Sequence, residues 1–304
     1  MASASNYRSR VFGTSIVVIC AVTACGGADP VEQHRYEEPD RIVQQMNENL
    51  AGAEHLRAVA DIDHSRLAHV AESPMPPARV LVFSDAKLEA ALIKLNPLTA
   101  LDLPLRILTF EQSADGSTKV VHNSFDYLVS RYQLEPERTS MLREAYVRDI
   151  ETVMRGIPES AVMSFENDVM QPAGIVTIKS PFAFAETLKR VNAAIDAQDD
   201  TMHFGQVDFQ ATAAEQEIDI APSYMILFGG PGPGGKAMVD APTLGLDGFC
   251  QKFLIWQDSK GDTFLSFNDL LALAERQGAS KSIALRVINR RLSKTFSDAL
   301  ATDS

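Results

Sequence analysis

The sequence predicts an α+β protein in which one unit occurs twice behind a cleaved leader, and three observations carry that expectation. One internal register runs through the chain, the apolar residues switch between helical and strand spacing in the same order in both halves, and the first two dozen residues do not resemble a fold.

The register is found by shifting the chain by 145 positions. Asp63 then meets Asp208, Ala68 meets Ala213, Pro77 meets Pro222 and Phe83 meets Phe228. Pro97 meets Pro242, Leu101 meets Leu246 and Asp102 meets Asp247. Gly116 and Gly261, Thr118 and Thr263, Asn123 and Asn268, and Arg131 and Arg276 complete the series, with a compensated one-residue slip near 103–115. Self-similarity at a fixed offset marks a duplication and decides the architecture before any element is assigned.

The elements agree. Phe184, Leu188, Val191 and Ile195 recur at helical spacing, and their counterparts are Pro39, Val43, Met46 and Leu50. Pro39 is expected in the first turn, where its missing N–H is not needed. Short apolar runs at Val80–Phe83, Arg106–Phe110 and Thr118–Val121 read as strands, as do Met225–Phe228, Phe253–Trp256 and Thr263–Phe267. Turn-rich segments at 112–116 and 258–261 join the last two strands of each copy as hairpins. Helical stripes follow, through Leu142, Ala145, Tyr146, Ile150 and Val153 and through Ile283 to Phe296. Gly174–Ile178 reads as an opening strand of copy two, and copy one shows no strand pattern at the matching place.

Residues 1–24 carry Arg8 and Arg10 as their only charges, then an apolar stretch from Val11 to Val22. This is the layout of a secretory leader, and the stretch is short of the ~20 residues a spanning helix needs. Val22-Thr23-Ala24-Cys25 is similar to a lipobox, so the chain is expected to be a lipoprotein acylated on Cys25 and attached to the membrane there. An ordinary secretory leader with a nearby cysteine is the simpler alternative. Residues 25–38 read as a polar tether, and Gly26 favours the outer membrane, facing the periplasm, if the organism is Gram-negative. The expected domains are 39–156 and 173–304, joined by a linker at 157–172.

The chain has a formal charge of −12, and loss of Arg8 and Arg10 with the leader makes it −14. So acidic a surface disfavours nucleic acid as a partner. Cleavage removes Cys20 and acylation takes Cys25, so Cys250 has no partner for a disulfide. The six histidines (34, 55, 64, 69, 122 and 203) have no zinc-ligand spacing. No metal or cofactor is therefore expected, and a monomer with an internal pseudo-dimer is.

Asp63-His64, the strand ending at Phe83, Asn96-Pro97 with Asp102-Leu103-Pro104-Leu105, and the hairpin leading to Asn123 resemble the DUF302 family. So do Asp208, Leu227-Phe228-Gly229-Gly230-Pro231, Ala241-Pro242-Thr243-Leu244-Gly245-Leu246-Asp247 and Phe267-Asn268-Asp269. The resemblance implies two tandem, pseudo-symmetric two-layer α/β domains, each a mixed sheet with helices on one face. It implies pairing of the two copies, and it supplies a fold and not a function, since no activity is established for the family. Copy one keeps Asp63-His64 but has Ser84-Asp85-Ala86-Lys87 where the family carries a glycine loop. Copy two keeps the glycines but has Asp208-Phe209 in place of Asp-His. A pseudo-dimer could merge the two remnants into one composite site.

Asp63 and His64 are accordingly the candidate acid/base or anion-binding pair, because a carboxylate near an imidazole fixes its tautomer and raises its pKa. The plainer expectation is a capping Asp beside a satisfied His. Gly229, Gly230, Gly232 and Lys236 follow a strand where a phosphate loop would sit, but Pro231 and Pro233 lack N–H groups, so an irregular loop shaping a pocket rim fits better. Asn123, Asp208 and Asn268 are candidate ligand contacts, with helix capping the simpler role for the two asparagines; Asp102 and Asp247 fall under the same structural reading. Cys250 is expected to be inert, and Trp256 to be core. Together these point to a non-enzymatic envelope lipoprotein that binds a small ligand or another envelope protein. The rival is an enzyme of unknown class using Asp63 and His64 at the junction of the repeats.

Overall fold

The computed structural model describes residues 18–19, 30–112, 115–165 and 174–302. Cys25 lies outside the described residues, as does the leader apart from Val18–Ile19. Two sheets form, one from each half, with orders β1-β2-β3-β4-β5-β6 and β7-β11-β10-β9-β8. The first comprises β1 (Val18–Ile19), β2 (Arg57–Asp63), β3 (Ala78–Ser84), β4 (Leu105–Glu111), β5 (Thr118–Val121) and β6 (Val162–Met163). The second comprises β7 (Ile175–Lys179), β8 (Met202–Asp208), β9 (Ser223–Gly229), β10 (Gln251–Gln257) and β11 (Thr263–Asn268). Strands β2 to β5 and β7 to β11 pair antiparallel, while β1 and β6 join parallel at the edges of the first sheet.

The helices are α1 (Pro30–Ala51), α2 (His64–Val70), α3 (Ala86–Leu95), α4 (Phe125–Tyr132) and α5 (Ser140–Val153) in the first half. The second half has α6 (Phe184–Asp196), α7 (Phe209–Glu215), α8 (Pro231–Met238), α9 (Leu270–Arg276) and α10 (Ile283–Ala299). Helix α1 starts at Pro30, within the stretch read as tether, and Pro39 lies inside it rather than in its first turn. Its apolar stripe holds, with Ile42, Val43, Met46 and Leu50 all buried.

Beyond the two-residue edge strands β1 and β6, in the stretches read as leader and linker, two full strands were not expected, β2 and β8. Each carries a bulge, between Ala58 and Ala60 and between His203 and Gly205, which are equivalent places under the 145-residue shift. An extra residue in one strand breaks the two-residue alternation that reveals a strand in sequence. Among the described residues copy one has no counterpart of β7, and the slot beside β5 is filled by β6. Both hairpin turns use glycine with positive φ, Gly116 at 69° and Gly261 at 80°, a conformation that costs glycine little.

Each sheet is covered on one face by its own helices: α1 lies against β3 and β4, and α6 against β10. The other face is covered by the opposite half. The 3-10 turn Pro97–Asp102 of the first half contacts β9, β10 and β11, and the turn Pro242–Gly245 of the second contacts β3 and β4. Helix α2 packs on α8, and α3 on α7. The halves thus pair face to face within one chain.

Strand alternation sorts the side chains. Phe253 packs edge-on against Phe228 and Phe296 on the helix side, while Lys252, one residue earlier, is buried on the side of the first half.

Candidate functional site

The residues retained in both copies converge where the halves meet. Asp102 ends one 3-10 turn and accepts from Arg131 Nη1 at 2.8 Å and from the Tyr132 hydroxyl at 2.5 Å. Arg131, on α4, reaches across the seam to Asn268 Oδ1 at 2.5 Å. Its equivalent, Arg276 on α9, donates to Asn123 Oδ1 at 2.7 Å, so the exchange is reciprocal, as a two-fold contact requires. Asn123 Nδ2 in turn donates to Asp247 Oδ2 at 2.8 Å. Arg106 and Lys252 occupy matching places on β4 and β10. Arg106 donates to the Leu246 carbonyl at 3.3 Å, and Lys252 Nζ lies 2.9 Å from Asp247 and 3.6 Å from Asp102.

Four cations and two carboxylates are therefore buried together. Burial alone would raise the Asp247 carboxyl, but Lys252, Arg276 and Arg106 outweigh it and hold the group well below the usual carboxylate range. Burial lowers the Lys252 ammonium, and Asp247 only partly offsets it.

Asn123 and Asn268 are thus seam residues and not caps. The caps are one residue further on: Ser124 accepts from the Tyr127 amide, and Asp269 from those of Leu271 and Ala272. Asp102 and Asp247 are likewise ionic partners rather than turn formers. Arg106, Arg131, Lys252 and Arg276 were not singled out as functional, although Arg131 and Arg276 stood in the matched register.

Asp63 and Asp208 are caps, accepting from the amides of Arg66 and Ala211. Asp63 also binds the Ser65 hydroxyl and the Arg66 guanidinium. His64 is buried, with Nε2 3.1 Å from the Gly245 carbonyl, which can only accept, so Nε2 carries the proton. Burial lowers the imidazole pKa to about 4; the Gly245 carbonyl and the Asp63 carboxylate each raise it, as expected of a nearby carboxylate, but do not outweigh burial.

The glycine segment is a helix, not an irregular loop. Pro231 sits at the start of α8, where proline fits. A Cβ on Gly235 would meet the Ser73 carbonyl at 2.5 Å and Ala68 Cβ at 2.7 Å, so the glycine permits α8 to close on α2. The fold does bring the two family remnants together. His64, Gly229, Gly230, Pro231, Gly234 and Cys250 share a pocket of about 20 Å³, room for about one water. Gly232 instead faces Ala71, and Lys236 is exposed. Burial pushes the Cys250 thiol up to about 11, as expected of an inert cysteine.

A larger opening lies at the outer edge of the contact between halves. A cleft of about 640 Å³ is lined by residues 54–57, 84–87 and Arg148 of the first half and by Glu215 and Gln216 of the second. His55 and Asp85 line it, and Asp149 lies against His55 and Arg148 without lining it. Asp149 is fully buried, and its Oδ1 lies 3.0 Å from His55 Nε2 and 2.8 Å from Arg148 Nη2. Burial, more than its hydrogen bonds, sets the Asp149 carboxyl, which is raised. No histidine spacing announced this group, because its members are far apart in sequence: His55 in the turn before β2, Asp85 capping α3 and Asp149 on α5.

Comparison with known proteins fits this geometry. The sequence profile described as "Domain of unknown function DUF302" matches residues 32–154 and again 176–299. Two proteins titled "Fluoride-specific ion channel FluC 1", from Brucella suis biovar 1 and Brucella abortus biovar 1, are each 35% identical over 118 residues. The match takes in 38% of this chain and 46% and 43% of those proteins, so the chain spans less than half the length of the curated relatives it matches. A solved structure, "Crystal structure of uncharacterized conserved protein DUF302 from Bacillus stearothermophilus", is 17% identical over 42% of this chain and 95% of its own, with a TM-score of 0.35. The chain belongs to the DUF302 family, of unknown function, and carries the family's domain twice in tandem.

Proposed function

We propose that this is an exported lipoprotein, anchored to the cell envelope through Cys25, that binds a small polar solute in the outer cleft without transforming it. The observation that carries the reading is the contrast in room. The cleft holds about 640 Å³, within the usual range for small-molecule sites, whereas the pocket that His64 shares with the glycine segment across the seam holds about 20 Å³. Its lining carries both signs of charge, from Glu54, Arg57, Lys87, Arg148 and Glu215, which suits a zwitterionic or polar guest.

The rival, catalysis by Asp63 and His64, has less support. An imidazole with a pKa near 4 is neutral at neutral pH and only a weak base, its Nε2–H faces the Gly245 carbonyl, and its pocket does not admit a substrate. Channel activity is not carried over from the Brucella proteins either. The shared 118 residues are close to one repeat in length, and no described helix is long and apolar enough to cross a membrane.

Native mass spectrometry of the full chain, extracted gently from its own envelope, tests the reading. The expected spectrum shows a mature chain beginning at acylated Cys25, with a small species bound. That species is lost when Lys87→Ala and Glu215→Ala are combined, since these exposed residues flank the cleft from the two halves. A chain still carrying its leader contradicts the anchor. An empty chain, or a ligand retained by the double variant, contradicts the cleft.

A further inference from the structure

We propose that His55, Asp85 and Asp149 bind one divalent transition-metal ion, of zinc type, beside the cleft, which His55 and Asp85 line; this deepens the reading of the cleft as the binding surface. One ligand atom from each of the three lies within 4.8 Å of the others. The His55 Nε2–Asp149 Oδ1 separation of 3.0 Å is near the ~3.3 Å between neighbouring ligands that tetrahedral bonds of ~2.0–2.1 Å impose. One imidazole and two carboxylates form a mixed nitrogen and oxygen set, which favours zinc-like ions over magnesium or calcium.

A second observation points to a missing partner. The Asp149 side chain is completely buried, yet its Oδ2 has no hydrogen-bond partner. An unpaired carboxylate oxygen in such a place is costly, and a cation would relieve it. Asp85 is held ready: its Oδ1 accepts from the amides of Lys87 and Leu88 at 2.9 and 3.1 Å, which fixes the carboxylate at the start of α3. Three protein ligands leave a coordination position open towards the cleft, where a solute could bind the metal directly.

Arg148 now supplies the positive charge. Its Nε and Nη2 lie 3.0 and 2.8 Å from Asp149 Oδ1, and its Nη2 lies 3.5 Å from Asp85 Oδ2. More than half of its side chain is exposed, so it can swing into solvent as the ion enters. The guanidinium is thus a built-in competitor for the metal. The second half has lost the arrangement. Asp200 and Gly230 stand at the places of His55 and Asp85, Arg291 pairs with Asp200 at 2.6 Å through both nitrogens, and Leu292 lines the corner. It serves as an internal control.

Calorimetric titration of the chelator-treated full chain with Zn²⁺ alone tests the proposal. One equivalent should bind. His55→Ala should weaken binding by roughly a hundredfold, at least the upper end of what losing an outer partner costs, and Asp149→Asn should do likewise. Arg148→Gln should tighten binding severalfold, an effect a merely structural ion pair would not produce, and Asp200→Asn should leave it unchanged. His55 is half exposed, so its variant keeps the fold even if Asp149→Asn does not. Absence of saturable binding, binding indifferent to His55→Ala, or weaker binding in Arg148→Gln overturns the metal site. Zinc binding with no solute in the mass spectrum overturns the solute reading alone, and the converse result overturns the metal alone.

Discussion

Replacing Arg131 with alanine is expected to destabilise the protein by about 3–5 kcal/mol, the loss that follows when one partner of a buried ion pair is removed. Arg131 is wholly buried and bonds Asp102, Tyr127 and, across the seam, Asn268. Its loss leaves the Asp102 carboxylate buried with the Tyr132 hydroxyl at 2.5 Å and Lys252 at 3.6 Å as its remaining partners. At ~2–4 °C per kcal/mol for a chain approaching this size, the melting temperature should fall by roughly 10 °C. Arg143→Ala is the control. Its bond to Asp126 lies at the surface, where such pairs contribute about 1 kcal/mol or less. Thermal unfolding that shifts equally in both variants would mean that the seam carries no special weight.

Glu89→Gln is expected to abolish a pH dependence that the native protein shows between about pH 6.5 and 8. Glu89 is buried, with the Ser84 hydroxyl donating to it at 2.7 Å, and burial pushes its pKa up to about 8. The unfolded chain releases this proton near its ordinary value of 4.5. Between those values the native state holds a proton that the unfolded state has lost, so stability falls as pH rises, by about 1.4 kcal/mol per unit. The full span is on the order of 5 kcal/mol.

His64 contributes the opposite slope. Its native pKa, near 4, lies below the ordinary 6.5, so stability falls as pH drops from 6.5 towards 4. The two effects offset each other from about 4.5 to 6.5, which leaves the window above 6.5 to Glu89. Urea midpoints across that window should decline in the native protein and stay nearly flat in Glu89→Gln. A parallel decline in both would place the titration elsewhere.

The duplication was legible because both halves keep the same side chains in one register. The matched pairs Asp102/Asp247, Asn123/Asn268 and Arg131/Arg276 turned out to be the seam itself. Their role was not legible, since helix capping explains an asparagine at a strand–helix junction equally well until a partner from the other half appears. The helix α8 was hidden for another reason. Glycine and proline are poor helix formers, and this helix exists because its glycines let it approach α2 closely. The group beside the cleft was out of reach altogether, because His55, Asp85 and Asp149 meet only when the turn before β2, the cap of α3 and the helix α5 converge.

The central claim is that the seam makes the two repeats one unit, which gives the cleft a wall from each half. Scanning calorimetry of the full chain tests it most directly. A single transition, with calorimetric and van't Hoff enthalpies equal and shifted as a whole by Arg131→Ala, is the expected result. Two resolved transitions, with only one moved by Arg131→Ala, would show halves that fold independently and would contradict it.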